Sequence, residues 1–111
     1  MTTPSEHLEQ VAFVRWFRAE FPDVLIFAIP NGDLRNITTA KRLKDEGQEN
    51  GIPDLYIPAW KTWVEMKRRK GGRLSPDQKE KIAYLESIGD TVIVGHGCDD
   101  ARKKLLDIIK K

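Results

Sequence analysis

Apolar residues along the first half of the chain form two patterns, one at helical spacing and one continuous. Residues 4 to 20 favour a helix, because apolar side chains recur at helical spacing at Leu8, Val11, Ala12, Phe13, Trp16 and Phe17. The run VLIFAI at 24–29 is continuous and rich in branched residues, which favours a strand that ends at the turn sequence PNG. A second helix is predicted over 38–46, with Thr38 or Thr39 near its start and Gly47 near its end.

The second half of the chain predicts a hairpin followed by a strand between two helices. Short apolar runs at 54–58 and 62–67 flank a turn, and the sequence SPDQ at 75–78 is typical of a helix start. TVIVG at 91–95 predicts another strand, and 99–110 predicts a last helix. The order is helix, strand, helix, strand, strand, helix, strand, helix. We therefore expect an α/β fold with a mixed sheet, in which the hairpin is antiparallel and the strand at 91–95 could be parallel to a neighbour.

Composition limits the class of protein. The chain has 111 residues, 40% of them hydrophobic, which predicts a single globular domain over 1–111. The single cysteine, Cys98, fits a reducing compartment, and no apolar run reaches the roughly 20 residues of a membrane span. We expect a cytoplasmic protein. The net charge of +2 identifies no partner, but the segment KRRKGGR at 67–73 holds five positive charges and no negative one, which makes a polyanion partner plausible.

The hairpin carries charged residues where packing would favour apolar ones. If its turn is centred between Ala59 and Trp60, Asp54 and Glu65 face each other across the ladder, with Cβ atoms about 5 Å apart. Strand alternation then puts Lys67 on the same face as Glu65. Two like charges at that distance repel each other unless a positive charge lies between them.

A divalent cation together with Lys67 would remove this repulsion. Mg²⁺ and Mn²⁺ favour carboxylate and carbonyl oxygens, so Asp54, Glu65 and the backbone carbonyl of Met66 are candidate ligands. Lys67 would then orient or deprotonate a water, or stabilise charge on a phosphate. The alternative is a salt bridge between Lys67 and one acid on an exposed strand. A register shifted by one residue would also separate the two acids.

Five short motifs in order along the chain carry a resemblance to a known family. They are E-x-x-x-Q at Glu6 and Gln10, PNGDLR with Asn31 and Arg35, G-x-P-D-L from Gly51 to Leu55, E-x-K at Glu65 to Lys67, and S-P-x-Q from Ser75 to Gln78. In this pattern the chain resembles the VRR-NUC (virus-type replication-repair nuclease) domains of the PD-(D/E)XK nuclease superfamily, and in particular their stand-alone phage and bacterial forms.

The resemblance implies a restriction-endonuclease-like fold that acts on DNA with Mg²⁺ or Mn²⁺. Small stand-alone members are similar in plan to Holliday junction resolvases, which implies branched DNA as substrate and a homodimer with two equivalent sites. Monomeric relatives cut flaps or other asymmetric DNA instead. A DNA-binding module without catalysis remains the alternative from another class.

The resemblance also implies roles for individual residues. Glu6 would be a third carboxylate on the metal, with Glu9 as the alternative; Glu6 could instead form a capping box with Thr3, followed by Pro4 in the first turn. Gln78 could belong to the site, to a capping box with Ser75, or to both. Trp60 and Trp63 are interpreted as packing residues. The predicted DNA contacts are Asn31, Arg35, Arg68, Arg69, Lys70 and Arg73.

Overall fold

The computed structural model describes residues 4–30 and 37–109. The predicted order of elements is confirmed. The helices are α1 (Glu6–Glu20), α2 (Ile37–Asp45), α3 (Pro76–Ser87) and α4 (Cys98–Ile109), and the strands are β1 (Phe27–Ala28), β2 (Leu55–Ile57), β3 (Thr62–Lys67) and β4 (Thr91–His96). A short 3₁₀ helix, Pro58–Trp60, connects β2 to β3. Two residues predicted to contact DNA, Asn31 and Arg35, lie outside the described residues.

The four strands form one mixed sheet in the order β1-β2-β3-β4. β1, β2 and β3 are antiparallel neighbours, and β4 is parallel to β3 over six residue pairs. Helix α3 makes the crossover from β3 to β4, as a parallel connection requires. The prediction of an antiparallel hairpin with a parallel neighbour is therefore confirmed.

The strand predicted over 24–29 is much shorter than its apolar content indicates. Only Phe27 and Ala28 pair with residues of β2, and the N–H of Ile29 donates to the carbonyl of Asp54 just before β2 at 2.8 Å. The preceding residues still belong to the exit from α1, where the N–H of Val24 donates to the carbonyl of Phe21. The carbonyl of Ile26 accepts from Arg18 Nη2 at 3.4 Å, while the Ile26 side chain enters the core. Ile26 therefore serves packing and not pairing, whereas Leu25 is 63% exposed.

The predicted start of the first helix is also wrong. Helix α1 begins at Glu6, and its N-cap is Ser5, whose hydroxyl accepts from the N–H of Leu8 at 3.2 Å. Ser and Thr are both good N-caps, so the sequence TTPS offered two starts of similar quality. With Ser5 as the cap, the capping-box position falls on Leu8. Glu6 therefore has no capping-box role.

The core lies between α1, α4 and one face of the sheet. The strands contribute Leu55, Ile57, Val64, Met66 and Ile93, the helices contribute Phe13, Phe17, Ala101 and Leu105, and Ile26 and Cys98 complete the cluster. Trp60 packs edge-on against Phe17 and Phe21 at one margin of this core, which confirms its interpretation as a packing residue. Because Val64 and Met66 fill the core, the alternate residues of β3 point to the other face.

Within the described residues, no helix has the length and apolar character needed to cross a membrane.

Candidate metal centre and its cleft

The register of β2 and β3 brings two acids together. The paired residues are Leu55↔Val64, Tyr56↔Trp63 and Ile57↔Thr62. Continuing the same register by one residue beyond Leu55 and Val64 places Asp54 opposite Glu65. The connection between β2 and β3 ends at Lys61, whose backbone lies in the left-handed region at φ 48° and ψ 44°. It spans four residues centred between Ala59 and Trp60, so the predicted register is confirmed.

A third carboxylate joins this pair from the first helix. Glu6, Asp54 and Glu65 each place a carboxylate oxygen within 4.8 Å of the other two. Glu6 is exposed, Asp54 is half-buried and Glu65 is only 1% exposed. The Oε1 atom of Glu65 is buried and meets no hydrogen-bond donor among the described residues. A buried carboxylate oxygen without a donor is costly unless a cation completes it, so these residues fit a divalent metal ion.

The structure distinguishes Glu6 from Glu9, the alternative helix carboxylate. Glu9 is 3% exposed, and both its oxygens accept hydrogen bonds away from the cluster: Oε2 from Arg69 Nε at 2.7 Å and Oε1 from the N–H of Cys98 at 3.1 Å. Glu6 has the access to Asp54 and Glu65 that Glu9 lacks. The candidate helix ligand is therefore Glu6.

Two of the three acids have raised pKa values. Burial, followed by the nearby charge of Asp54, raises the pKa of Glu65 from 4.5 to about 8, although the charge and hydrogen bond of Lys67 oppose the shift. A hydrogen bond to Asp54, which exists only when a proton is present, raises the pKa of Glu65 further. Glu6 is exposed as a residue, but partial burial of its carboxylate raises the pKa of Glu6, against the charge of Lys67. Without a metal ion, the cluster therefore holds a proton near neutral pH.

Lys67 and Gln78 form a hydrogen-bonded pair beside the acids. Lys67 is 6% exposed; its Nζ donates to Gln78 Oε1 at 2.9 Å and lies 3.3 Å from Glu65 Oε2. Gln78 Nε2 in turn donates to Glu65 Oε2 at 3.1 Å. Gln78 also completes a capping box with Ser75, so the two roles considered for it coexist. The salt bridge proposed as the alternative for Lys67 is present, but it is buried within the carboxylate cluster and does not lie on an exposed strand.

Met66 enters the cluster through its backbone. Its N–H donates to Asp54 Oδ2 at 2.8 Å, and its side chain lies in the core. The Met66 carbonyl remains a predicted ligand. Trp63, on the same strand, contacts Tyr56 with ring centres 4.1 Å apart. Its Nε1 donates a hydrogen bond to Asp90 Oδ2 at 2.9 Å. Trp63 is therefore a packing residue of the β2–β3 hairpin.

The acids open into a cleft of about 380 Å³. The loop 48–52 forms one wall, and the first turn of α3 forms another. Gly51 lets these walls meet: its φ is +83°, and a Cβ there would lie 2.5 Å from the carbonyl carbon of Asp77. Glu49 and Asp77 add two acids to the lining. Sequence reasoning did not select them, since Glu49 lies outside the motifs and Asp77 occupies the variable position of S-P-x-Q.

The predicted phosphate contacts differ in their surroundings. Arg68, Lys70 and Arg73 are exposed on the loop that follows β3. Arg69 is half-exposed and its Nε is bound to Glu9. That hydrogen bond and the charge of Glu9 raise the pKa of Arg69. The cationic loop therefore begins at the end of the strand that carries Glu65 of the carboxylate cluster.

The arrangement of sheet and helices has a counterpart among solved structures. A structure described as "VRR_NUC domain protein" superposes with a TM-score of 0.80, covering 99% of this chain and 92% of that one. The chain has the fold of a VRR-NUC domain. The resemblance carried by five motifs is thus confirmed at the level of the fold. Sequence identity to this VRR-NUC structure is 22%, so the likeness lies in the geometry. No family model matches the sequence, and no curated protein is significantly similar to it.

Proposed function

We propose that this chain is a divalent-metal-dependent endonuclease that hydrolyses phosphodiester bonds in branched DNA, with the four-way Holliday junction as its preferred substrate. One observation carries the proposal. Three carboxylates converge within 4.8 Å, one of them has a buried oxygen that meets no donor in the described part of the chain, and the ammonium group of Lys67 lies 3.3 Å from that same carboxylate. The VRR-NUC fold supports it further.

Glu6, Asp54 and Glu65 would hold the metal ion, with the Met66 carbonyl as a further ligand. Mg²⁺ and Mn²⁺ both suit this oxygen donor set. When bound, the ion supplies Lewis-acid stabilisation of the charge that develops on the phosphate and favours ionisation of the attacking water. The acids alone would repel a phosphate, and this repulsion argues against a binding module that never takes up a cation.

Lys67 contributes the positive charge of the chain itself. Its ammonium group has three donors, and within the described residues two of them are directed at Gln78 and Glu65. The remaining donor is free to contact the attacking water or a phosphate oxygen as the bond to the leaving oxygen breaks. Gln78 keeps both Lys67 and Glu65 in place, so it acts as a positioning residue in this proposal.

Arg68, Lys70 and Arg73 would bind phosphates that flank the scissile bond, in a manner independent of base sequence. Asn31 and Arg35 are proposed for the same role from the motif alone. Binding through such contacts weakens steeply with salt. The preference for a four-way junction, and a homodimer acting on its two symmetry-related strands, follow from the small stand-alone proteins that the sequence resembles.

The test is cleavage of a labelled four-way junction, beside a flap and a linear duplex, in Mg²⁺, Mn²⁺ or EDTA. Asp54→Asn keeps an oxygen that can accept from the N–H of Met66 but removes the charge, so it should abolish cleavage and leave DNA binding intact. Glu86→Gln removes an exposed acid from the far end of α3 and is the matched control. Paired, symmetric, metal-dependent nicks are expected from the wild type and the control.

The other outcomes revise the proposal in different ways. Cleavage of the flap alone would keep the nuclease and reject the junction preference and the dimer. Binding to every substrate without cleavage of any would reject catalysis and favour the DNA-binding module. Full activity of Asp54→Asn would reject the assigned metal centre.

A further inference from the structure

Glu9 occupies a core position on α1 that packing would assign to an apolar residue. The buried residues of this helix are Glu9, Phe13 and Phe17, which form one stripe at a spacing of four. The two phenylalanines are fully buried in the core, and Glu9 is 3% exposed. A carboxylate therefore continues the apolar stripe toward the first turn of the helix, next to the candidate metal centre.

The carboxylate of Glu9 joins three separate parts of the chain. Its Oε2 accepts from Arg69 Nε at 2.7 Å, and its Oε1 accepts from the N–H of Cys98 at 3.1 Å. Arg69 belongs to the basic loop after β3, and Cys98 is the first residue of α4. We call Glu9, Arg69 and the Cys98 amide the Glu9 latch. It fixes the first turn of α1 to the basic loop after β3 and to the start of α4.

The latch lies directly against the strand end that carries Lys67. The N–H of Gly97 donates to the carbonyl of Lys67 at 2.7 Å. A Cβ on Gly97 would lie 2.9 Å from Glu9 Oε2 and 2.7 Å from Arg69 Cγ, and Gly97 has a φ of +92°. The closeness of these contacts leaves the latch little freedom to move relative to Lys67.

Only the carboxylate of this ion pair is buried, since Glu9 is 3% exposed and the Arg69 side chain is 52% exposed. The cost of burying a carboxylate is only partly offset by a half-exposed partner, so the pair is a weak source of stability. The hydrogen bonds on both oxygens of Glu9 do impose a specific geometry. The geometry at this position matters because Glu6 lies three residues before Glu9, on the same face of the helix, where i and i+3 side chains are neighbours.

Glu6 depends on the first turn of α1 for its place in the cluster. Its side chain is exposed, yet one of its oxygens must lie within 4.8 Å of oxygens on Asp54 and Glu65. We infer that Glu9 is a positioning residue for the metal centre: bound by Arg69 and the Cys98 amide, it holds Glu6 against Asp54 and Glu65 and so sets the affinity for the cation. This inference rests on the proposed function.

The inference also changes the role of Arg69. The motif analysis groups Arg69 with the phosphate contacts, but its Nε is directed at a buried carboxylate. Its main contribution should therefore be to cation affinity, while the neighbouring Lys70, which is exposed, contributes to DNA affinity.

The test measures Mn²⁺ binding by isothermal titration calorimetry, and junction binding in EDTA, on the same set of proteins. The variants are Glu9→Gln, Arg69→Gln, their double variant, Arg69→Lys and Lys70→Gln, each checked for folding by thermal unfolding. Glu9→Gln and Arg69→Gln should each weaken Mn²⁺ binding about tenfold or more, as is typical when a partner of a metal ligand is lost. Because both break one unit, the double variant should be no weaker than the worse single variant.

Two variants separate positioning from loss of charge. Arg69→Lys keeps a cationic donor to Glu9 and should recover most of the Mn²⁺ affinity. Lys70→Gln should weaken junction binding and leave Mn²⁺ binding unchanged, whereas Arg69→Gln should do the reverse. If Glu9→Gln does not fold, Arg69→Gln decides the matter, since its side chain is 52% exposed and is easily replaced.

The outcomes are distinguishable. If wild type binds Mn²⁺ and the folded latch variants bind it equally well, the latch inference is wrong and the proposed function stands. If Arg69→Gln weakens junction binding but not Mn²⁺ binding, Arg69 is a phosphate contact and the inference is again wrong. If wild type binds no Mn²⁺, the metal-dependent function and the inference both fail.

Discussion

Metal binding at the carboxylate cluster should depend steeply on pH, because Glu65 holds a proton that a cation must displace. Burial and the charge of Asp54 raise the pKa of Glu65 to about 8. Only the ionised carboxylate is a good ligand, so apparent affinity falls about tenfold for each pH unit below 8. Between pH 8 and pH 6 the affinity for Mn²⁺ should fall by about two orders of magnitude. Glu6 is shifted in the same direction and adds to this slope.

Calorimetry measures this linkage directly. Titrations in buffers of different ionisation enthalpy give the number of protons released for each ion bound. About one proton should be released at pH 6.5, and close to none at pH 9.5. The Glu65→Gln variant should bind Mn²⁺ more weakly and show a much smaller pH dependence. An affinity that is constant between pH 6 and pH 8 in the wild type would refute the assignment of the proton to this cluster.

The same proton governs the stability of the metal-free protein. The pKa of Glu65 is raised on folding from 4.5, so the folded state keeps the proton over a range in which the unfolded chain has lost it. The free energy of unfolding should therefore fall as pH rises from about 5 to about 8, by a few kcal/mol at about 1.4 kcal/mol per unit. Urea unfolding in EDTA would measure this. Stability that rises over the range, or an unchanged slope in Glu65→Gln, would contradict the reasoning.

Substitutions at three further positions test two walls of the cleft and the neighbouring hairpin. Gln78→Ala removes the hydrogen bonds to Lys67 and Glu65 and half of a capping box. It should lower the free energy of unfolding in urea by about 1–2 kcal/mol and slow junction cleavage at least tenfold. Gln78→Glu cannot donate a hydrogen bond to Glu65, so it should not restore the cleavage rate. Gly51→Ala places a Cβ 2.5 Å from the α3 backbone, whereas Gly47 also has a positive φ but nothing within 4 Å of the position that a Cβ would take. Gly51→Ala should therefore lower the free energy of unfolding far more than Gly47→Ala. Equal decreases in the two variants would contradict the close contact. Trp63→Phe loses the hydrogen bond to Asp90 and should cost about 1 kcal/mol without altering Mn²⁺ affinity.

The hairpin could be predicted from the sequence because a strand repeats every two residues. Once the turn is placed, one alternation decides that Val64 and Met66 fill the core, and that Glu65 and Lys67 face the cleft with Asp54 opposite. This geometry needs no information from distant parts of the chain. The assignment of the elements and the capping role of Gln78 follow from similarly local signals, whereas the place of Gln78 in the site was expected only from the resemblance.

The features that were missed depend on contacts between distant residues. The Glu9 latch joins positions 60 and 89 residues apart, and nothing near Glu9 marks it as buried. The shortness of β1 is a property of its pairing with β2, which lies far along the chain and pairs with only Phe27 and Ala28 of the run 24–29.

The double role of Gln78 links the site to the local stability of α3. The Gln78 side chain accepts a hydrogen bond from the Lys67 ammonium group and also completes the capping box of α3. Any opening of the first turn of α3 therefore breaks the contacts that Gln78 makes with the site. The sheet can remain intact during such an opening, because helix ends open at lower free energy than central strands. The fraction of molecules competent for cleavage should therefore follow the amide exchange of the first turn of α3 more closely than the global unfolding of the domain. A cation or substrate that closes the cleft would protect those amides selectively.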